Sequence, residues 1–439
     1  MKLIHKILFL PVVCLMTLSC ELEDGENLNG PTAESIQDGI TRGELEQAVT
    51  GVLSDMRLRV DTQVDGQSLA GREYYRFQSS DPRWSSDVMT GNLDNNTFYT
   101  TAPYSSRYTV IKNANLIIQG IGNSEGIFTE AEITVSFGFL NTIKAHELLM
   151  VLNQQYENGI RVDVSDPDNL GPFLGYDEAI AFISNLLGEA ATQLQNGEDR
   201  FPFSLPDDDG EGFTIASTPA DFLQFNKAIH ARVEVYRGNY TEAKSLLEDS
   251  FMNLSGDLSE SVYFTFSQSG LDFPNPLFFS VNQTVANARI AHPSFIADTL
   301  TGDSRISKVV RREEVLTQSD LTGIYNVFVY DNIVDNVDII RNEELVLLYA
   351  EALHISNPSE AINAINIIRN AAELNDYTGG DSPAELVDEI LVQRRYSLFA
   401  EGGHRWIDMR RFNRLDQLPN DRPGDNVFIQ FPTPVAEGK

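Results

Sequence analysis

Apolar residues recur along most of this chain at the three- and four-residue intervals of an α-helix. The first such segment begins at Thr41, which has the spacing of a capping box with Glu44. The same periodicity continues downstream and predicts helices at residues 105–119, 131–156, 177–195 and 219–237. The pattern therefore predicts a mainly α protein.

The predicted helices fall into pairs. From Ala231 to Glu248, small and large residues occupy the positions at which the two helices of a tetratricopeptide repeat contact each other. Stacked pairs bury a continuous core and leave one face free for a partner. We expect a degenerate tetratricopeptide-like helical-pair scaffold with long loops and a few short β-hairpins, its pairs lying at about residues 41–60, 105–156, 177–250 and 341–375.

Two segments interrupt the helical pattern, at about residues 61–104 and 259–335. The first is rich in Gly, Asp, Asn, Ser and aromatic residues, which predicts a long loop. In the second, alternating apolar residues predict a short hairpin within 259–285 and a strand at 322–331. Structured loops on a rigid scaffold usually carry binding residues, so both segments are expected to form the ligand site.

The C-terminal segment 383–415 is predicted to form two more helices. Ser382 begins another capping box, with Pro383 in the first turn. Gly402-Gly403 supplies the permissive backbone that ends this helix before a short second helix begins.

The C-terminal segment is rich in arginine, although the whole chain carries a net negative charge. Six arginines lie in the 22 residues from Arg394 to Leu415, although the formal net charge of the chain is −32. Guanidinium groups hold nearby carboxylates ionised, so we expect structural ion pairs and not an acid catalyst. The expected structural residues are Arg394, Arg395, Glu401, Arg405, Asp408 and Arg411.

The same segment resembles a known family signature. Its pattern RRxxLxxEGxRxxDxRR, with one residue inserted between Gly402 and Arg405, is similar to the C-terminal signature of the SusD/RagB family of surface nutrient-binding lipoproteins. Residues 341–352 resemble the preceding helix of that family, and Asp303-Ser304-Arg305 resembles its Asp-x-Arg turn. The resemblance covers about residues 290–435.

The resemblance implies a non-catalytic binding protein on the outer face of the outer membrane. It implies an oligosaccharide ligand and a SusC-like TonB-dependent transporter as partner, with no cofactor. Two other interpretations stay open. One is an exported glycan hydrolase or lyase on a helical scaffold, and the other is a structural transporter lid without a ligand site of its own.

The N-terminus agrees with export. Residues 1–19 combine two lysines with the apolar run Ile7–Leu18, which is too short to span a bilayer and is typical of a signal peptide. We expect Cys20 to carry the lipid anchor, residues 20–40 to form an acidic surface tether and residues 41–439 to form one domain. An ordinary secretory signal with an incidental cysteine is the alternative.

Net charge argues against one class of ligand. Removal of residues 1–19 takes away two lysines and no acidic residue, which leaves a net charge of −34. Phosphate backbones are bound by basic surfaces, so nucleic acid is not an expected partner.

The segment Tyr74–Asn92 is the candidate ligand surface. A sugar presents apolar C–H faces and hydroxyl groups, so its receptor needs a flat aromatic ring beside short polar groups. Trp84 is expected to stack on the sugar, and the other expected contacts are Arg83, Asp87, Asn92, Tyr75, Tyr99 and Tyr104. The competing interpretation is that these rings pack the loop onto the helices.

Calcium is the one metal that the sequence suggests, and only weakly. Asp207, Asp209 and Glu211 match the opening half of an EF-type loop, but Thr218 stands where the bidentate acid belongs. A solvated acidic loop is the preferred interpretation. The six histidines show no zinc-ligand spacing.

Overall fold

The computed structural model describes residues 33–206, 212–270 and 272–438. None of the helices in these ranges is both long and apolar enough to cross a membrane. The thirteen α-helices of the described residues are α1 (Ala33–Asp38), α2 (Arg42–Met56), α3 (Val60–Ala70), α4 (Phe98–Asn123), α5 (Glu130–Gln155), α6 (Tyr176–Asn196), α7 (Pro219–Arg237), α8 (Tyr240–Glu248), α9 (Pro293–Ala297), α10 (Asn342–Leu353), α11 (Pro358–Ala371), α12 (Pro383–Ser397) and α13 (His404–Arg411).

Successive helices pack side by side in one array. α4 packs on α5, α5 on α6, α6 on α7 and α7 on α8, and α10 then links α8 to α11 and α12. Their apolar faces form one continuous core that extends from Ile40 to Phe431. The prediction of a mainly α, tetratricopeptide-like scaffold is confirmed.

Several helix bounds lie where the sequence predicts them. Thr41 and Ser382 both form complete capping boxes, and α7 has the bounds predicted for it. α12, however, stops at Ser397, before the predicted Gly402-Gly403, because the chain turns into the left-handed region at Ala400 (φ 59°).

Strands fill the gaps between helices and form three antiparallel sheets in the described residues. The largest has the order β1-β5-β7-β6, while β2 pairs with β3 and β4 with β8. The strands are β1 (Tyr74–Phe77), β2 (Ile160–Arg161), β3 (Phe173–Leu174), β4 (Ser261–Phe264), β5 (Ala288–Ala291), β6 (Val309–Gln318), β7 (Leu321–Val327) and β8 (Val337–Arg341).

The hairpin predicted within residues 259–285 is wrong. β4 lies in that segment, but its partner is β8, with Ser261 opposite Arg341. Alternation along a strand shows that it has two faces, whereas the choice of partner depends on distant packing. The strand predicted at 322–331 corresponds to β7, which forms a hairpin with β6 through Ser319-Asp320, both at positive φ.

The long loop predicted at residues 61–104 is also wrong, because α3, β1 and the start of α4 lie there. The α3 sequence VDTQVDGQSLA looks too polar for a core helix, yet almost all of it is buried. Its polar side chains are tolerated because distant residues satisfy them.

Asp65 of α3 is the clearest case. Its carboxylate accepts hydrogen bonds from Arg289 Nε (2.6 Å) and Nη2 (2.9 Å), from Arg76 Nε (3.2 Å) and from the Tyr74 hydroxyl (2.7 Å). Burial opposes ionisation of Asp65, but the two guanidinium groups outweigh it and lower the pKa of the carboxyl. Arg289 also donates to the Leu277 carbonyl at 2.7 Å, so this ion pair ties α3 to the loop before β5.

A second buried ion network joins the C-terminal helices. Asp408 of α13 lies between Arg394 Nε of α12 (2.6 Å) and Arg411 Nη2 (2.9 Å), and Arg411 also pairs with Glu351 of α10 (2.8 Å). Burial opposes ionisation of Asp408 as well, but its two arginines lower its pKa below the usual value. The network therefore fixes three helices relative to one another.

Glu401 has partners outside the arginine-rich segment. Lys308 Nζ lies 2.9 Å from Glu401 Oε1, and Arg341 pairs with Oε2. Gly403 then adopts a left-handed conformation (φ 65°) at the start of α13, and a Cβ there would overlap Gln67 of α3. Glycine at this position thus lets α13 pack directly on α3.

Replacing Asp65 tests whether polar burial in α3 depends on its ion pairs. Asp65→Asn leaves two buried guanidinium groups without a counter-charge, so we expect the free energy of unfolding to fall by about 3–5 kcal/mol. Urea unfolding followed by circular dichroism measures it. The matched control is Glu132→Gln, which breaks an exposed pair with Arg42 and should lower stability by less than about 1 kcal/mol. Equal losses in the two variants would contradict this account.

Candidate functional site

The structure buries the aromatic rings of the predicted sugar platform. Trp84 is 3% exposed, Tyr75 2%, Tyr99 1% and Tyr104 3%. A sugar can stack only on a ring face that solvent reaches. In this structure these four rings therefore belong to the core, and the platform prediction is wrong for them.

Their neighbours explain the burial. Trp84 lies in a single π-helical turn, Trp84–Val88, and packs edge-on against Phe98 with ring centres 4.9 Å apart. Tyr99 contacts the same pair, so one aromatic cluster fastens this turn onto the start of α4. An aromatic-rich segment has the same composition whether its rings face the core or solvent, and the sequence offered no signal to separate the two.

The polar members of the predicted site lie at the surface. Arg83 is exposed, pairs with Asp81 and places its guanidinium 5.0 Å from the Phe98 ring centre. Asp87 accepts a hydrogen bond from the Tyr99 hydroxyl at 3.0 Å, and the backbone N–H of the exposed Asn92 donates to the Asp87 carbonyl at 3.0 Å. These three residues stay candidate ligand contacts, beside the partly buried ring of Phe98.

A more open site lies where three segments meet, and we call it the polar cleft. It holds about 620 Å³ between the turn that joins α2 to α3, the first half of α4 and the loop 273–276. The residues that line it are Asp55, Arg57, Leu58, Arg59, Asp61, Ala102, Ser105, Ser106, Thr109, Phe273 and Pro276.

One wall of the polar cleft is an aromatic ring held by a fixed arginine. The Arg57 guanidinium lies 4.7 Å from the centre of the Phe273 ring, and it is anchored by the Thr265 carbonyl (2.7 Å) and by Asp272 (2.9 Å). Phe273 is only partly buried, so part of the ring faces the cleft. The arginine is thus pre-organised, and the ring adds an apolar surface.

The opposite wall is polar. Arg59 is exposed and adopts the left-handed conformation (φ 61°) as the residue that precedes α3. Asp61 follows in the first turn, and its pKa is raised by burial and then by the charge of Asp65. Ser105 and Thr109 present exposed hydroxyl groups from α4. Charged, hydroxyl and apolar groups in one open cleft match the surface of a sugar, whose hydroxyls need donors and acceptors.

The two segments predicted to carry ligand contacts cover part of this cleft, and Asp61 and Ala102 lie in the segment 61–104. Phe273 and Pro276 lie in the segment 259–335 that was predicted to carry ligand contacts. Arg57 and Arg59 were assigned to the end of a helical pair at 41–60. The only feature of the sequence that indicates this part of the cleft is Leu58, an apolar residue between two arginines. Its side chain is 42% exposed in the structure. The left-handed turn at Arg59 leaves no trace in the sequence.

Two of the predicted sites lie outside the described residues. These are the lipid anchor Cys20 and the calcium candidates Asp207, Asp209 and Glu211. Within the described ranges no group of three or more His, Cys, Asp or Glu side chains is placed to hold a metal ion.

A histidine between a serine and an aspartate has a structural explanation. His292 Nε2 lies 3.0 Å from Asp421 and its Nδ1 lies 2.8 Å from Ser294 Oγ. The Ser294 backbone N–H, however, donates to the same Nδ1 at 3.1 Å, which makes His292 the cap of α9, and Arg395 donates to Ser294 Oγ at 2.7 Å. These contacts occupy the groups that a nucleophile and its base would need free.

Two sequence comparisons match part of this chain to one family. The SusD family model matches residues 330–435. The chain is 41% identical over 92 residues to SusD-like protein P38 of Formosa agariphila, a match that spans 19% of this chain and 18% of that relative's length. These matches support membership of this chain in the SusD family.

Solved structures show that the SusD fold extends over nearly all of the chain. A SusD superfamily protein from Bacteroides vulgatus superposes with a TM-score of 0.71 at 17% identity, covering 90% of this chain and 96% of that one. One from Bacteroides thetaiotaomicron gives 0.68 at 16% identity, covering 91% and 97%. A laminarin-binding SusD-like protein gives 0.64 at 16% identity, with coverage of 91% and 97%.

Truncation of Trp84 tests whether this residue belongs to the core or contacts a ligand. Trp84→Ala should lower the free energy of unfolding by about 3–5 kcal/mol, because it empties a packed site. Thermal and urea unfolding measure the loss. The control Arg83→Ala removes an exposed side chain from the same turn and should change stability by less than about 1 kcal/mol. A fully stable Trp84→Ala variant would show instead that the ring is a surface platform.

Proposed function

We propose that this SusD-family chain is a cell-surface carbohydrate-binding protein that captures an oligosaccharide in the polar cleft. The observation that carries the proposal is the partly exposed Phe273 ring, fixed by Arg57 and faced by Arg59, Asp61 and the hydroxyls of α4. The laminarin-binding SusD-like protein of the same fold supports a glycan as the class of ligand.

The cleft suits a neutral oligosaccharide better than a strongly charged one. Arg57 is already neutralised by Asp272, and Asp55 and Asp61 lie on the same surface as Arg59. Such a mixture gives hydrogen-bond donors and acceptors without a large net charge. Each sugar hydroxyl can then both donate and accept, while Phe273 covers an apolar C–H face.

The two carboxylates of the arginine-rich segment are not suited to act as the acid in glycoside hydrolysis. Glycoside hydrolysis needs one carboxyl group that holds a proton near neutral pH, which requires a raised pKa. In Glu401 and Asp408 burial alone would raise the pKa, but Arg341 and Lys308 around Glu401, and Arg394 and Arg411 around Asp408, lower it. Both groups therefore stay ionised.

The proposal includes delivery of the bound glycan to a SusC-like TonB-dependent transporter in the outer membrane. Two features of the sequence support it: the apolar leader that precedes Cys20, and the acidic residues after Cys20 that would tether the domain to the surface. The predicted tether 20–40 extends too far, because α1 packs on α4 and Ile40 is buried in the core. The stacked helical pairs offer an extended face for such a partner.

Substitutions on the open rim of the polar cleft test the proposed ligand site. Arg59→Ala and Phe273→Ala should each weaken binding about tenfold or more, because a hydrogen-bond donor or the stacking ring is lost. Affinity gel electrophoresis across a polysaccharide panel identifies the ligand, and isothermal titration calorimetry with the matching oligosaccharide gives the affinity. Arg59 is exposed, so this variant should keep the stability of the native chain.

The matched control is Arg42→Ala, which removes an exposed arginine that does not line the cleft. It should bind like the native chain. Native affinity in both cleft variants would place the ligand elsewhere. Absence of binding to every glycan would favour the structural lid, and turnover of a glycan that one carboxylate substitution abolishes would favour the hydrolase or lyase.

A further inference from the structure

A second cleft lies between α12 and α13, far along the chain from the polar cleft. It holds about 280 Å³. Three arginines and three apolar residues contribute to its lining, and we call it the arginine cleft: Arg395, Arg405, Arg414, Leu391, Val392 and Met409. Asp388 and Asp408 also line the cleft, but Asp388 pairs with Arg414, and Asp408 pairs with Arg394 and Arg411.

The six arginines between Arg394 and Leu415 differ in whether they pair with a carboxylate. Four of them pair with carboxylates: Arg394 with Asp408, Arg395 with Asp298, Arg411 with Glu351 and Asp408, and Arg414 with Asp388. Arg410 donates to two backbone carbonyls and stacks on aromatic rings.

Among the described residues, the one hydrogen-bond partner of the Arg405 side chain is a backbone carbonyl. Its Nη1 donates to the Arg72 carbonyl at 2.8 Å, but no carboxylate of a described residue lies within 4.0 Å of its guanidinium. The pKa of Arg405 is lowered to about 9, first by burial and then by the charge of Arg395, and the opposing charges of Glu73 and Asp298 offset this only in part. The protein thus holds a largely desolvated cation beside a second cation, an arrangement that favours a bound counter-ion.

The geometry of the two guanidinium groups is set before any ligand arrives. Arg395 is held by Asp298 Oδ2 (2.8 Å) and Ser294 Oγ (2.7 Å), and Arg405 is held by the Arg72 carbonyl. Each guanidinium has five N–H donors, so each keeps donors for another partner. Fixed arginines at a small cleft match the planar oxygens of a carboxylate or the tetrahedral oxygens of a sulfate.

We propose that the arginine cleft binds a small oxyanion, a carboxylate or a sulfate group, between Arg405 and Arg395. The anion supplies the counter-charge that Arg405 lacks, and the apolar side chains of Leu391, Val392 and Met409 leave room for the body of the molecule that carries it. The site is independent of the polar cleft, since the two share no lining residue.

Selenate is a direct probe, because its selenium atom scatters anomalously and its shape copies sulfate. Crystals of the native chain soaked in selenate should give an anomalous peak within hydrogen-bonding distance, about 3 Å, of both Arg405 and Arg395. Peaks only at other surfaces, or no peak at all, would overturn the proposal. This measurement needs no variant and is decisive even if substitutions at Arg405 impair folding.

Solution stability gives a second test. At constant ionic strength, replacing chloride with sulfate at tenfold excess over its dissociation constant should raise the melting temperature of the native chain by about 1–2 °C. Arg405→Gln should abolish this increase, whereas Arg42→Gln, on an exposed arginine outside the cleft, should keep it. Equal sulfate stabilisation of the two variants would contradict the site.

Competition distinguishes the sources of the anion. Displacement of selenate by galacturonate would identify a sugar carboxylate as the natural group, and displacement by inorganic sulfate alone would identify a free oxyanion. Persistence of the peak against both compounds would overturn specific oxyanion binding.

Discussion

The ion pair between Asp65 and Arg289 is the contact on which the rest of the site depends. It joins residues 224 positions apart and lies in the core, where both Asp65 oxygens are bound by Arg289. Because Arg289 also donates to the Leu277 carbonyl, the pair fixes the loop that carries Phe273 relative to α3. The first turn of α3 carries Asp61, so the two walls of the polar cleft are held through one buried carboxylate.

The C-terminal helices hold α3 in this position. Asp408, held between Arg394 and Arg411, fixes α13 against α12 and α10, and α13 packs on α3 through the glycine at position 403. The arginine-rich segment thus acts on the polar cleft indirectly, by positioning α3. Arg405, which has no carboxylate of a described residue within 4.0 Å, lines the second cleft together with Arg395 and Arg414.

Local signals could be predicted from the sequence, and contacts between distant segments could not. Capping at Thr41 and Ser382 and the bounds of α7 follow from neighbouring residues. α3 was not predicted because its polar side chains are stable in the core only when Asp65 pairs with Arg289 and Arg76, which lie outside this helix. Trp84 was predicted to contact the ligand because composition does not show whether a ring packs on the helices or faces solvent.

The most direct test of the account is a crystal structure of the chain with the oligosaccharide that a polysaccharide panel selects. The account predicts sugar density in the polar cleft, with one ring against Phe273 and hydroxyl groups within hydrogen-bonding distance of Arg59 and Ser105. Density on the surface formed by Arg83, Asp87 and Asn92, with the polar cleft empty, would contradict it.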